Sequence, residues 1–179
     1  MKKNIIAVLL VIALSTVFIF AATNPPATSF DVSTSVSGIN KMKITTAAFT
    51  GTTPSSFNSA TAYTGPLAVT AAGSQTFSAY LSTMSNNRVG YKVTMSATAM
   101  SSTVSSATAY INYTVGVNSQ SLTTAGATVA TPVEVITVAS LTGLSSQSHA
   151  ISLSVDQVSF DAAVEGTYTG TVTFTYIAN

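Results

Sequence analysis

His149 is the sole imidazole in the chain, and serines are plentiful enough that a Ser-His-Asp relay can be drawn on paper. No G-x-S-x-G elbow or other nucleophile setting accompanies it, however. His149 falls in the alternating phase of Ile151 and Leu153, which makes it an ordinary side chain at the start of a strand. Asp156, Asp161 and Glu165 bring three of the five acids together before the last segment. Carboxylate oxygens on a loop are calcium ligands in kind, but the run D-Q-V-S-F-D-A-A-V-E-G lacks the alternating Asp/Asn spacing of a calcium loop and reads as a solvated connection. The chain has no cysteine, which removes disulfides, thiol catalysis and thiolate metal sites. Tyr63 and Phe57, in loop sequence, are the aromatics available to stack on a sugar. Tyr91, Tyr113, Phe174 and Tyr176 fall in inward phases and read as core. Lys41 and Lys43 share the outer face of one strand, where charge protects an edge from stray pairing. Asn112-Tyr113-Thr114 matches a glycosylation acceptor but lies within a strand, and is read as a chance match. The expectation is a non-enzymatic protein with no catalytic, metal or cofactor-binding residue.

Composition points the same way. Six Lys or Arg stand against five Asp or Glu, and charged residues make up 6% of the chain, where about a quarter is usual. Close to a third of the residues are Ser or Thr, so the polar surface is hydroxyl and amide, not ionic. Nucleic acid is excluded as a partner, because neutralising phosphates needs a clustered basic footprint.

Residues 1–22 read as a secretory signal peptide that is cleaved: Lys2 and Lys3 precede an apolar run over 5–20, and Ala21-Ala22 is a small-residue exit. A retained membrane anchor is the rival reading. The expected location is therefore the cell surface or extracellular space, with the periplasm in transit. Pro25-Pro26 then fixes an extended entry. Residues 23–37 form an N-terminal arm or a first strand, with Phe30, Val32 and Val36 in one phase and Thr34 as the polar exception.

Residues 38–179 alternate with period two in segment after segment. The inward sets are Met42 and Ile44; Phe77, Ala79 and Leu81; Val89 to Ala99 at every second residue; Ala109 to Val117 likewise; and Ile151, Leu153 and Val155. Val133 to Val138 reads as a central strand buried on both faces. In the last segment Thr167, Thr169, Thr171, Thr173 and Thr175 occupy one face, with Tyr168, Gly170, Val172, Phe174 and Tyr176 on the other. Residues 46–65, 101–108 and 118–131 read as connections, and a single helical turn is expected near 160–164. About eight or nine short strands predict an all-β fold, an immunoglobulin-like antiparallel β-sandwich. A small outer-membrane barrel is the alternative, from the girdle-like spacing of Tyr168 and Tyr176.

The C-terminal run from Glu165 to Tyr176 resembles the end of subunits of chaperone–usher fimbriae, in which a glycine lies fourteen residues from the C-terminus and a tyrosine is penultimate. Gly166 holds the glycine position, while the penultimate residue is Ala178 and the nearest tyrosine is Tyr176. The run Gly90 to Ser96 is also similar to a strand common in secreted bacterial surface domains. The resemblance implies a structural subunit of a pilus, fibril or surface layer. Its partners would be copies of itself or related subunits, a periplasmic chaperone and an outer-membrane usher. It implies an incomplete sandwich completed by a donor strand, with Phe30, Val32, Thr34 and Val36 as the arm and Gly166, Tyr168, Val172, Phe174 and Tyr176 at the receiving strand. The alternative, which is the favoured one, is that this segment is simply the domain's own first strand, since alternation does not say which molecule supplies the partner strand. The alternative function is a monomeric glycan- or protein-binding module at the surface or in the periplasm.

Overall fold

Period-two alternation becomes strand wherever one face meets a core. The computed structural model describes residues 27–179. Its strands are β1 (Asn40–Thr45), β2 (Gly73–Ser74), β3 (Tyr80–Ser85), β4 (Tyr91–Ala97), β5 (Met100–Val104), β6 (Ala107–Ile111), β7 (Tyr113–Val117), β8 (Gln120–Thr123), β9 (Val133–Val138), β10 (Ser145–Val155) and β11 (Val172–Ala178). Two short helices, α1 (Pro54–Ser59) and α2 (Gln157–Asp161), precede β2 and β11. One sheet has the order β1-β3-β10-β7-β8, with β2 also on β10; the second is β11-β4-β9; β5 and β6 form a ribbon. Every pairing is antiparallel. The two larger sheets enclose Leu81, Tyr91, Val93, Met95, Val115, Val117 and Ile136, and the result is an all-β, immunoglobulin-like antiparallel sandwich. Both strand orders are open paths, so the sheets close into no barrel and the barrel alternative is corrected.

Val36–Asn179 form one compact unit, and the described residues 27–35 belong to another. Residues 27–35 take neither helix nor strand conformation, and the sandwich begins with β1 at Asn40. The signal segment lies outside the described residues.

β4 follows its alternation, with Tyr91, Val93, Met95 and Ala97 all at most 2% exposed. Val89 departs from it: it sits in the turn before β4 and is 56% exposed. The run from Ala109 to Val117 is two strands, because Asn112 breaks it; its N–H donates to Ser159 Oγ and its Oδ1 accepts from Gly126 N, at 2.9 and 2.8 Å. Residues 101–108 are largely the β5–β6 hairpin. Its turn residues Ser105 and Ser106 have φ of 49° and 71°, and Asn118 and Ser119 at the β7–β8 turn have 50° and 62°. These are hairpin turns of the left-handed kind, built without the glycine that usually announces them. β9 lies at a sheet edge, not at its centre: a bulge opposite Val93 and Thr94 turns Val135 and Ile136 inward together, each 2% exposed.

Helix α1 falls within the expected connection over 46–65, because six residues show no helical period. Local chemistry holds it instead. Thr53 caps its N-terminus by accepting from Ser56 N at 3.1 Å, with Pro54 at the first turn. At the other end Lys43 donates to the carbonyls of Phe57, Asn58 and Ala60 at 3.0, 3.0 and 2.9 Å, and Lys41 to Asn58 Oδ1 at 2.9 Å. The two lysines thus bind a helix end, where a cation is favoured.

Gly90 permits the crossing from β3 to β4. Its φ is +80°, and an added Cβ would strike the backbone of Val138 and Ala139, the latter at 2.7 Å. Gly90→Ala is expected to lower unfolding stability by about 2–4 kcal/mol, from the left-handed φ and the clash together. An unchanged urea midpoint would show that this close approach constrains nothing.

Candidate assembly site

The C-terminal segment runs antiparallel to β4 and on toward β5. Thr98 N donates to Thr171 O at 3.0 Å, and Ser101 and Thr169 exchange bonds of 2.9 and 3.1 Å. The long strand expected over this segment is therefore a bridge at Thr169 followed by β11 from Val172. Gly170 lies between them, where a Cβ would meet Thr98 O at 2.9 Å and Met100 N at 3.0 Å. The absence of a side chain brings the two backbones together.

β11 is an outer strand of its sheet and pairs with β4 alone. Val172, Phe174 and Tyr176 point to the core yet stay half-buried, whereas the inward residues of β4 are sealed. The difference follows from position: β4 has a strand on each side and β11 has one. An outer strand also presents a row of unpaired backbone N–H and C=O groups. Tyr176 pins this strand to the core, stacking on Tyr91 at 4.8 Å between ring centroids and donating from its hydroxyl to Asn40 Oδ1 at 2.8 Å. Burial pushes both phenol pKa values above 10.0. Both phenols therefore remain protonated at physiological pH.

Beyond the start of β11 lies a mostly apolar groove of about 570 Å³, lined by Leu67, Val69, Met100, Ile111, Phe160 and Tyr168 among others. The Tyr168 hydroxyl donates to Val164 O at 2.9 Å, which holds the ring along the wall.

Gly166, Tyr168, Val172, Phe174 and Tyr176 thus follow one another along a single segment, from the groove to the outer strand. Phe30, Val32 and Val36 are 86%, 84% and 83% exposed, and Thr34 is exposed as well. The other sequence candidates take different roles. Phe57 is the buried residue of α1, 2% exposed and edge-on to Phe49 at 4.9 Å, so it presents no face to a sugar. Asp156 caps α2 by accepting from Ser159 N at 2.8 Å, Asp161 accepts from Gln157 Nε2 at 2.7 Å, and Glu165 is exposed. His149 lies within β10, with Gln147 Oε1 at 3.3 Å from its Nε2. Gly170 escaped the sequence reading, which took it as one more member of an alternating face.

The two glycines differ in what surrounds them. A Cβ on Gly166 meets the side chain of Ser102 at a φ of +159°, which residues with a side chain rarely adopt, whereas one on Gly170 meets the backbone of Thr98 and Met100. Gly170→Ala and Gly166→Ala are each expected to cost about 1–3 kcal/mol, the first through the backbone contact and the second through the backbone conformation. Urea denaturation of both variants checks this, and an unchanged midpoint for either would show that its glycine constrains nothing.

Burial lowers the His149 pKa below 6.5. The unfolded chain then takes up this proton more readily, so the contribution is complete above pH 6.5 and decays as pH falls toward the folded value. His149→Gln should flatten that part of the stability–pH curve; an identical slope in the variant would assign the dependence elsewhere.

Comparison of the chain with protein-family models, with curated proteins and with solved structures gives no match to any of them.

Proposed function

We propose that the protein is a non-enzymatic structural subunit of a pilus, fibril or cell-surface layer, exported through the periplasm and assembled by strand exchange between copies. The observation that carries this reading is the coexistence in one chain of an exposed, alternating apolar segment and an outer strand whose inward side chains are half covered. An extended segment that adds to an open sheet edge gains backbone hydrogen bonds, while its alternate side chains enter the adjoining pockets. Phe30, Val32, Thr34 and Val36 supply such a segment, and β11 with the groove beyond it supplies the acceptor. The resemblance of the C-terminal run to chaperone–usher subunits supports the same direction. In that setting a periplasmic chaperone covers β11 until an usher delivers a neighbour's arm.

The test is an SDS gel of native surface extract, unboiled beside boiled and probed for this chain. A ladder that collapses to one band on boiling is expected. Deleting residues 23–37 should abolish the ladder and leave a chaperone-bound domain. A deletion product that is a stable free monomer and still assembles rejects the donor-arm reading. A monomer band in both lanes of the native sample favours a self-complete binding module, for which the groove beside Tyr168 is the place to look for a ligand.

A further inference from the structure

We infer that successive copies of this chain meet end to end, Arg88 at one pole of the sandwich facing Glu165 at the opposite pole of the next copy; the inference rests on the assembly reading above.

The geometry comes from the β4–β5 run. Along it the C-terminal segment lies in antiparallel register, with Ala178 opposite Tyr91 and Thr169 opposite Ser101. Gly166 lies against Ser102. The turn that carries Arg88 and the loop that carries Glu165 therefore sit at opposite ends of this run, about 35 Å apart at the rise of an extended strand.

The charges of the sandwich are few, and most are engaged. Lys92 pairs with Glu134 at 2.7 Å, Lys41 and Lys43 hold the end of α1, Asp156 caps α2, and Asp161 accepts from Gln157. Arg88 and Glu165 are exposed, and among the described residues neither side chain has an ion-pair or hydrogen-bond partner. Asp31, the other acid in that position, is on the arm, so Glu165 is the counter-charge that the sandwich itself fixes in place.

Apolar surface accompanies each charge. Beside Arg88, Val89 is 56% and Leu144 38% exposed, and Ile39, Leu141 and Leu144 line a groove of about 710 Å³. Next to Glu165, Val164 is 62% exposed, and Val158 on the preceding helix α2 is 77% exposed. One pole thus offers a cation rimmed by aliphatic side chains, and the other an anion rimmed the same way. Opposite charges on opposite ends select the head-to-tail approach and reject head-to-head contact. A contact between different surfaces of identical copies is heterologous, and copies joined through opposite poles extend as a filament unless the rotation between them closes a ring.

The chain has no cysteine, so an introduced thiol is unique. Fibres assembled from a mixture of Arg88→Cys chains and Glu165→Cys chains should give disulfide dimers under mild oxidation, well above the level in fibres of either variant alone. Charge reversal provides the second reading: R88E and E165R should each reduce ladder yield about fivefold, and R88E/E165R should restore it. If the native ladder forms and depends on residues 23–37, but mixed fibres cross-link no better than single ones and the double reversal restores nothing, the end-to-end contact is wrong and strand exchange stands. A native chain that gives no ladder overturns both.

Discussion

The sandwich turns on the burial of Tyr91. Its ring is 2% exposed, its backbone lies between Ala178 of β11 and Val138 of β9, and its hydroxyl shares a 2.9 Å hydrogen bond with Thr83 from the opposing sheet. A phenol in such a place must find a polar partner, because an unsatisfied hydroxyl there costs more than the ring's burial comfortably offsets. Thr83 supplies it, which fixes the distance between the sheets at this point, and the stacked ring of Tyr176 then sets where β11 lies. The tight turn at Gly90 is a consequence. The chain must pass from β3 to β4 in a few residues for Tyr91 to enter the core facing Thr83.

With so few ions, loops are fastened to sheets by hydroxyls. Thr45, Ser82 and Ser148 form a chain of hydrogen bonds at 2.8 and 2.9 Å across β1, β3 and β10. Ser148 Oγ goes on to accept from Phe49 N at 3.0 Å, and Ser146 donates to Gly51 O at 3.0 Å. These bonds hold the segment before α1 over the outer face of the sheet, and no buried side-chain polar atom among the described residues lacks a partner. Short hydroxyl side chains suit this work, since they lose little rotamer freedom on burial and both donate and accept. Two of the few cations, Lys41 and Lys43, are held at the end of α1, which leaves the surface nearly free of like-charge repulsion.

Strand phase was legible in the sequence because burial on one face imposes period two wherever the chain is extended. The interruptions were not. Ser105-Ser106 and Asn118-Ser119 adopt left-handed turns without glycine, so the two hairpins read as loops. Ser82 looked solvent-facing by phase and is 0% exposed, because the loop and helix that cover it come from residues 46–59. Val135 and Ile136 looked like a doubly buried strand, and a bulge produces the same pattern at an edge. For the site, the alternation of Val172, Phe174 and Tyr176 was plain, but their partial exposure was not. That property depends on which strands lie beside β11, a matter of contacts far apart in sequence. Gly170 was hidden for the same reason, since its meaning lies in the backbone of Thr98 and Met100 opposite.

An outer strand with aromatic side chains half covered is an unfinished layer. Full burial of a large apolar side chain stabilises by about 1.5–3 kcal/mol, so completing the cover of Val172, Phe174 and Tyr176 is worth several kcal/mol, before the hydrogen bonds of a newly paired edge are counted. A loop folded over the strand covers side chains but leaves much of the backbone row unpaired; an added strand satisfies both. Exposed edges normally carry charge as a guard against this event. The lysines of β1 are engaged by α1, and β11 presents Thr173, Thr175 and Ile177 on its outer face, with no charge among them. An edge left unguarded in a chain that also carries an exposed alternating segment is the physical ground for reading β11 as a receiver of another chain's strand.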